Sequence, residues 1–313
     1  MNDNVTYLLV LPDATLVGDW IPIIERLLVN RFRVEAAASI RLDLATMVEL
    51  YSLPPTGEGK QALNQSGTQI PKDIAEMLYD LAPALLLVMS HREGNAAMRL
   101  PQLKCPTRPE LATDLQLRSL GDNIVMNRVH APDGPVAALQ ELPVLLGSGL
   151  GASLTERFPR IGGSAESERL IIDLVQIAQP VLSGRQATSF AAVGNRLICR
   201  ALLRHSLSGL MTSSIVGGVI TAIKEQGLDI GDTATSTTRM LYAQQRGPGL
   251  CASVAAVVGE KTLTAGLAAL AELYDPGGNR GPKIMSAIEG SLPLSHSERA
   301  TIHSHALSFR NKD

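Results

Sequence analysis

Asn127-Arg128-Val129-His130-Ala131-Pro132-Asp133-Gly134-Pro135 is the stretch on which the reading of this chain turns. Ile124 to Val129 has the composition of a strand, Asp133-Gly134 breaks it, and Pro135 opens a helix running to Leu145, because proline in the first helical turn gives up no hydrogen bond. A histidine at the end of a strand, just ahead of a helix, can present one ring nitrogen to a cleft. Glu141 follows eleven residues later on that helix. From there its carboxylate can bond the other ring nitrogen and fix the tautomer, as a nucleophilic histidine requires. A lone histidine is more often structural, so the weight falls on the segments around it.

Upstream, Tyr7 to Leu11 is an apolar run closed by Pro12-Asp13, which reads as a buried strand ending at a turn. Asp19 is placed to cap a helix in which Pro22 lies in the first turn and Ile21, Ile24, Leu27 and Leu28 recur on one face. Phe32 to Ile40 reads as a second strand and Leu44 to Leu53 as a helix, with Thr46 and Glu49 at capping-box spacing. Residues 54–70 read as a loop, Asp73 to Leu81 as helical, Ala84 to Met89 as a buried strand and 101–109 as irregular. These elements predict an α/β domain over 1–147.

Residues 148–166, rich in glycine and serine, read as a linker, and 167–313 as a helical domain without strands. Its periodic segments fall at about 167–183, 188–207, 213–226, 235–245, 250–258, 262–274, 281–290 and 296–308. Arg246-Gly247-Pro248-Gly249 and Asp275-Pro276-Gly277-Gly278 read as turns between helices. Many faces carry Ala, Gly and Ser, which lets helices approach closely.

The length of 313 residues fits two domains. With 45% hydrophobic and 19% charged residues the chain is not disordered. A net charge of -2 and a pI near 6.3 leave no basic face for general nucleic-acid binding. Aromatic residues are 3%, so the cores must be built from Leu, Ile, Val and Ala. Cys105, Cys199 and Cys251 are too far apart for a disulfide framework or a CxxC metal site, which predicts a reducing, cytoplasmic compartment. The first residues lack a signal-peptide pattern, and the longest apolar run, Leu81 to Met89, is about half a membrane span, so the expectation is a soluble protein with no membrane partner. His303 and His305 point apart on a helix, which argues against a metal site. The hydroxyls of Ser206 to Ser214 lack a Gly-x-Ser-x-Gly elbow.

Taken in order, the N-terminal motifs resemble the nucleoside diphosphate kinase family over about residues 5 to 147. Leu11-Pro12-Asp13-Ala14, Val17-Gly18 and Arg31-Phe32-Arg33-Val34 follow that family's opening strand, helix and second strand. Asn127, His130, Asp133, Ala138 and Glu141 have the spacing of its histidine motif, and Pro106-Thr107-Arg108-Pro109 matches a Pro-Thr-Asp-Pro loop. The resemblance implies a ferredoxin-like βαββαβ fold, here followed by an all-α domain. It also implies phosphoryl transfer from a nucleoside triphosphate such as ATP, with Mg2+, through a phosphohistidine at His130. In the same resemblance Glu141 orients His130, Tyr51, Thr107, Arg118 and Asn127 contact the nucleotide, and the protein assembles as a homo-oligomer. The helical domain would then shape the site of an acceptor.

Some positions depart from the family. Leu11 stands where it has a lysine, Pro132 where it has a serine two residues past the histidine, Arg99 is a displaced counterpart of the arginine expected ahead of Thr107, and no phenylalanine lies between Tyr51 and the third strand. Each lost phosphate or orienting contact would cost roughly 2–4 kcal/mol of transition-state stabilisation. The alternative expectation is therefore a catalytically degenerate nucleotide-binding or scaffold module joined to a helical effector or biosynthetic domain.

Overall fold

The computed structural model describes residues 4–53, 72–105, 108–123, 125–147, 165–181, 187, 189–208, 213–229, 236–275 and 282–308. They divide into two units, Met1–Glu168 and Arg169–Asp313. The loop expected over 54–70 and residues 148–164 of the expected linker lie outside the described residues.

The sheet of the first unit contains β1 (Val5–Val10), β2 (Phe32–Ile40), β3 (Ala84–His91) and the short β4 (Val129–His130), in the order β2-β3-β1-β4. All neighbouring pairs are antiparallel. Helices α1 (Pro12–Val17) and α2 (Trp20–Val29) connect β1 to β2, while α5 (Ala96–Lys104) lies between β3 and β4. This is the ferredoxin-like βαββαβ arrangement. The pair α3 (Leu44–Ser52) and α4 (Lys72–Tyr79) is inserted between β2 and β3, and α6 (Pro135–Leu146) follows β4. All six residues of β1 are buried, as are Ala84 to Met89 of β3, so these strands read as continuous apolar runs rather than alternating ones.

Several local expectations change. The buried stripe of α2 is Trp20, Ile23, Ile24 and Leu27, whereas Ile21 and Leu28 are exposed. The i, i+3, i+4, i+7 set that starts at Trp20 buries the largest side chain, and a face centred on Ile21 would leave it in water. Asp19 precedes α2 without capping it: its backbone is already helical (φ -67°, ψ -10°) and its carboxylate bonds Arg128 instead. Helix α3 is capped by Asp43, whose side chain accepts from the backbone N–H of Thr46 at 2.7 Å, so Thr46 is inside the helix. Helix α5 runs through Pro101 to Lys104, in what the sequence suggested was irregular chain. The strand expected over Ile124 to Val129 shrinks to Val129–His130. Ile124 itself is outside the described residues, and Asn123 Oδ1 accepts from the N–H groups of both Val125 and Met126 at 2.9 Å, folding that segment into a turn.

Helix α7 (Ala165–Ala178) spans the division between the units. Beyond it, α8 (Phe190–Ser208), α9 (Ser213–Asp229), α10 (Ser236–Val258), α11 (Lys261–Tyr274), α12 (Pro282–Ser291) and α13 (His296–Ser308) follow, with no strand among the described residues. The turn expected at Arg246-Gly247-Pro248-Gly249 is absent, because α10 continues through it. Pro248 deprives the helix of one hydrogen bond, but Gly247 makes a close contact that a side chain would prevent. A Cβ there would lie 2.6 Å from the ring of Tyr274, and one at Gly194 of α8 would lie 1.9 Å from its hydroxyl. Tyr274 is thus wedged between two helices through two glycines. The second unit also buries charge. Arg200, fully buried, donates to both carboxylate oxygens of Glu298 at 2.6 and 2.9 Å, and Arg196 Nε donates to Glu298 Oε1 at 2.7 Å.

Candidate functional site

His130 lies opposite Leu9 in the β1–β4 ladder. Side chains alternate along a strand, so Tyr7, two residues before Leu9, shares the face of His130, and the two rings are 6.3 Å apart. On α6 the buried positions are Ala137, Ala138, Glu141, Leu142, Leu145 and Leu146, a helical stripe with one carboxylate in its middle. A carboxylate buried in such a stripe is unfavourable unless it is hydrogen-bonded. Glu141, 0% exposed, meets that requirement: its Oε2 is 2.9 Å from His130 Nε2 and accepts the Tyr7 hydroxyl at 2.5 Å. The Nε2–H tautomer that this contact favours leaves Nδ1 with a bare lone pair, and no hydrogen bond reaches Nδ1 among the described residues.

Burial is the largest influence on the imidazole and holds its pKa below the ordinary value; Glu141 pulls it up, and Lys104 and Arg118 push it down. His130 is therefore neutral at pH 7. Lys104, at the end of α5, donates to the carbonyl of Ala131 and to Asp133 Oδ1, both at 2.8 Å. Burial lowers its own pKa, with Asp133 opposing. Arg118 Nε and Nη2 donate to the Val129 carbonyl and Nη1 to that of Cys105, each at 3.3 Å. The guanidinium thus braces β4 beside the histidine.

Tyr51 is 48% exposed and stands edge-on to His130, with ring centroids 5.9 Å apart and planes at 82°. Asn127 is buried in the turn before β4, where its carbonyl accepts the N–H of Val129 at 2.9 Å. Gly121 packs against that turn so closely that a Cβ would meet Asn127 Cα at 2.9 Å. Thr107 lies outside the described residues, as does Pro106. Arg99 is paired with Glu93 at 3.3 Å and lines a cavity with His91, at the other end of β3 from the strand positions nearest His130.

The approach to β4 is fixed by Arg128, a non-glycine residue at φ 70°. Its guanidinium bonds Asp13 Oδ2 at 2.9 Å, Asp19 Oδ2 at 2.7 Å and Asp122 Oδ2 at 2.7 Å, and its carbonyl accepts the N–H of Leu11 at 2.9 Å. A left-handed backbone at such a residue costs about 1–3 kcal/mol, which three ion pairs and a backbone bond can hold in place. The Pro12-Asp13 motif therefore has a structural use: Asp13 anchors the turn that delivers His130.

The sequence singled out His130, Glu141, Tyr51 and Arg118, and the fold gathers them around one point. It missed Tyr7 and Lys104. A tyrosine inside the run Val-Thr-Tyr-Leu-Leu-Val signals a hydroxyl in need of a buried partner. Lys104 gave no such signal, because its segment did not read as helical. Among the described residues no group of His, Cys, Asp and Glu is arranged to hold a metal ion by itself, and no helix is long and apolar enough to cross a membrane. His303 Nε2 lies 3.0 Å from Glu289, while His305 stacks on Phe190 with centroids 3.7 Å apart.

Neither a family model nor a curated protein matches the chain. Solved structures that match its N-terminal part include nucleoside diphosphate kinases. That of Aquifex aeolicus is 22% identical, over 47% of this chain and 97% of that one, with a TM-score of 0.37. The apo enzyme of Encephalitozoon cuniculi is 18% identical over 47% and 90%, with a TM-score of 0.38. The Halobacterium salinarum enzyme in complex with CDP is 19% identical over 45% and 85%, with a TM-score of 0.36. The sheet order β2-β3-β1-β4 is by itself that of the ferredoxin-like fold.

Proposed function

We propose that the first unit transfers a phosphoryl group from a nucleoside triphosphate through a phosphohistidine at His130. The support is the His130–Glu141 pair, 2.9 Å apart at Nε2, with no hydrogen bond to Nδ1 among the described residues. In the forward step the Nδ1 lone pair bonds to the γ-phosphorus, the bond to the β-phosphate oxygen breaks, and the nucleoside diphosphate leaves. Nε2 keeps its proton, and the positive charge that develops on the ring faces the Glu141 carboxylate. A diphosphate acceptor reverses the step. Phosphoryl transfer depends on positioning and on cations around the moving charge; Lys104 bonds the carbonyl of Ala131 just after His130, and Arg118 bonds that of Val129 just before it. Tyr51 would pack on the nucleotide, and Asn127 and Thr107 would bond it. Magnesium would arrive on the phosphates as part of the substrate.

Incubation with γ-labelled ATP and magnesium tests this proposal. Wild type should acquire an acid-labile label and His130→Ala should not; an unlabelled wild type contradicts it. A second reading, a nucleotide-binding module without turnover, is favoured by Arg118, whose guanidinium bonds the backbone carbonyls of Val129 and Cys105. Calorimetric nucleotide binding that survives His130→Ala, without labelling of wild type, would select it.

A further inference from the structure

Glu141 lies at the centre of an apolar helix stripe with none of its surface exposed. A buried carboxylate stays ionised only when donors and cations compensate for lost water. The chain just past His130 contributes no side-chain donor, since Ala131 and Pro132 have none. A second donor arrives from β1: Tyr7, 0% exposed, gives its hydroxyl at 2.5 Å to the same Oε2 that faces His130 Nε2. Tyr7 pairs across the ladder with Val88 and lies diagonal to the Leu9–His130 pair, so β1 holds the hydroxyl at fixed height over α6.

We propose that Tyr7 is the positioning residue of this site: its hydroxyl keeps Glu141 an acceptor, and Glu141 in turn holds His130 in the Nε2–H tautomer that exposes Nδ1. The tautomer claim stands on geometry alone; only its consequence for turnover rests on the phosphoryl-transfer reading. The direction of the proton is set by the partners. Burial and Glu141 together raise the Tyr7 pKa well above the ordinary phenol value, so Tyr7 remains a donor throughout the accessible pH range. A protonated Glu141 would instead donate to His130 Nε2 and move the ring proton to Nδ1, removing the lone pair. The charged and titratable groups facing the pair are Tyr51 from α3, Lys104 from α5, Arg118 from the 3-10 turn Leu117–Leu120, and Asp133 from the turn ahead of α6.

The test compares Tyr7→Phe, which retains the ring, with full-length wild type, reading the ¹⁵N resonances of the His130 imidazole against pH without any nucleotide. Loss of one donor to a charged acceptor should move the midpoint at which the His130–Glu141 pair takes up a proton upward by about one to two pH units. At neutral pH the Nδ1–H tautomer should become detectable. Labelling from ATP near pH 6.5 should fall about ten- to hundredfold and recover toward alkaline pH. 3-Fluorotyrosine at position 7, a stronger donor of nearly the same size, should move the midpoint the other way, and it serves if Tyr7→Phe does not fold. A midpoint and tautomer unchanged in both variants would overturn the proposal, as would a labelling loss that is uniform in pH, which is what a packing defect produces. Wild type that takes no label sinks the phosphoryl-transfer reading and leaves the imidazole measurement to decide the role of Tyr7.

Discussion

Arg128 and Asp13 are 2.9 Å apart, joining the turn before β4 to the first turn of α1 across more than a hundred residues of sequence. That bond connects the two best-defined motifs of the N-terminal half, and His130 takes its place from it. Asp19 and Asp122 complete the cluster at 2.7 Å each.

Removing Arg128 leaves Asp13, which is buried, facing no cation in this cluster. Arg128→Ala should destabilise the protein by about 3 kcal/mol, in the range for breaking a buried pair from one side. Arg128→Lys should recover little of it, since an ammonium cannot reproduce three separate guanidinium bonds. Urea denaturation of the three proteins provides the comparison; a loss under about 1 kcal/mol for Arg128→Ala would show that the cluster contributes little.

Lys104 lowers the pKa of His130 through its positive charge. In Lys104→Met the imidazole pKa should rise, and the acid limb of His130 labelling should move to higher pH. The plateau rate should fall about tenfold to a hundredfold from the loss of a cation near the phosphoryl group. A plateau rate equal to wild type would remove Lys104 from the site.

In the helical unit, burial pushes the Glu298 carboxyl up, but Arg200, followed by Arg196 and Ser295, outweighs it and brings its pKa down to about 2. A depressed folded-state value stabilises the fold above the unfolded carboxyl pKa and loses that contribution as pH falls through it. Glu298→Gln should therefore be less stable than wild type at pH 7 by about 3 kcal/mol or more, and the gap should close between about pH 4.5 and pH 2. Thermal melts of both proteins across that range measure it; a gap independent of pH would contradict the ion-pair origin.

Tyr274 is accommodated by Gly194 and Gly247. Gly194→Ala should cost about 1–3 kcal/mol by overpacking, and Tyr274→Phe should relieve part of that penalty because the hydroxyl is the closest atom. Equal penalties in the two backgrounds would show that the hydroxyl is not the obstacle.

Strands β1, β2 and β3 were legible as apolar runs between breakers, and Pro135 marked the start of α6. The spacing from His130 to Glu141 was legible because it lies within one strand–turn–helix segment. Tyr7 and Lys104 reach the site only through strand pairing and the packing of α5, relationships that no local window contains. Arg246-Gly247-Pro248-Gly249 misled for a related reason: glycine and proline mark turns on average, whereas here a distant tyrosine requires the missing Cβ. Asp19 looked like a cap from its place before α2, but the guanidinium of Arg128 offers its carboxylate a stronger, charge-assisted bond.

Transfer through His130 requires that Glu141 occupy Nε2 and leave Nδ1 to react. ³¹P NMR of the intact protein after incubation with ATP and magnesium, recorded under alkaline denaturing conditions that preserve phosphohistidine, measures which nitrogen holds the phosphoryl group. A resonance of Nδ1-phosphohistidine that is absent from His130→Ala is the predicted result. A resonance of Nε2-phosphohistidine, or label that persists in His130→Ala, would contradict it.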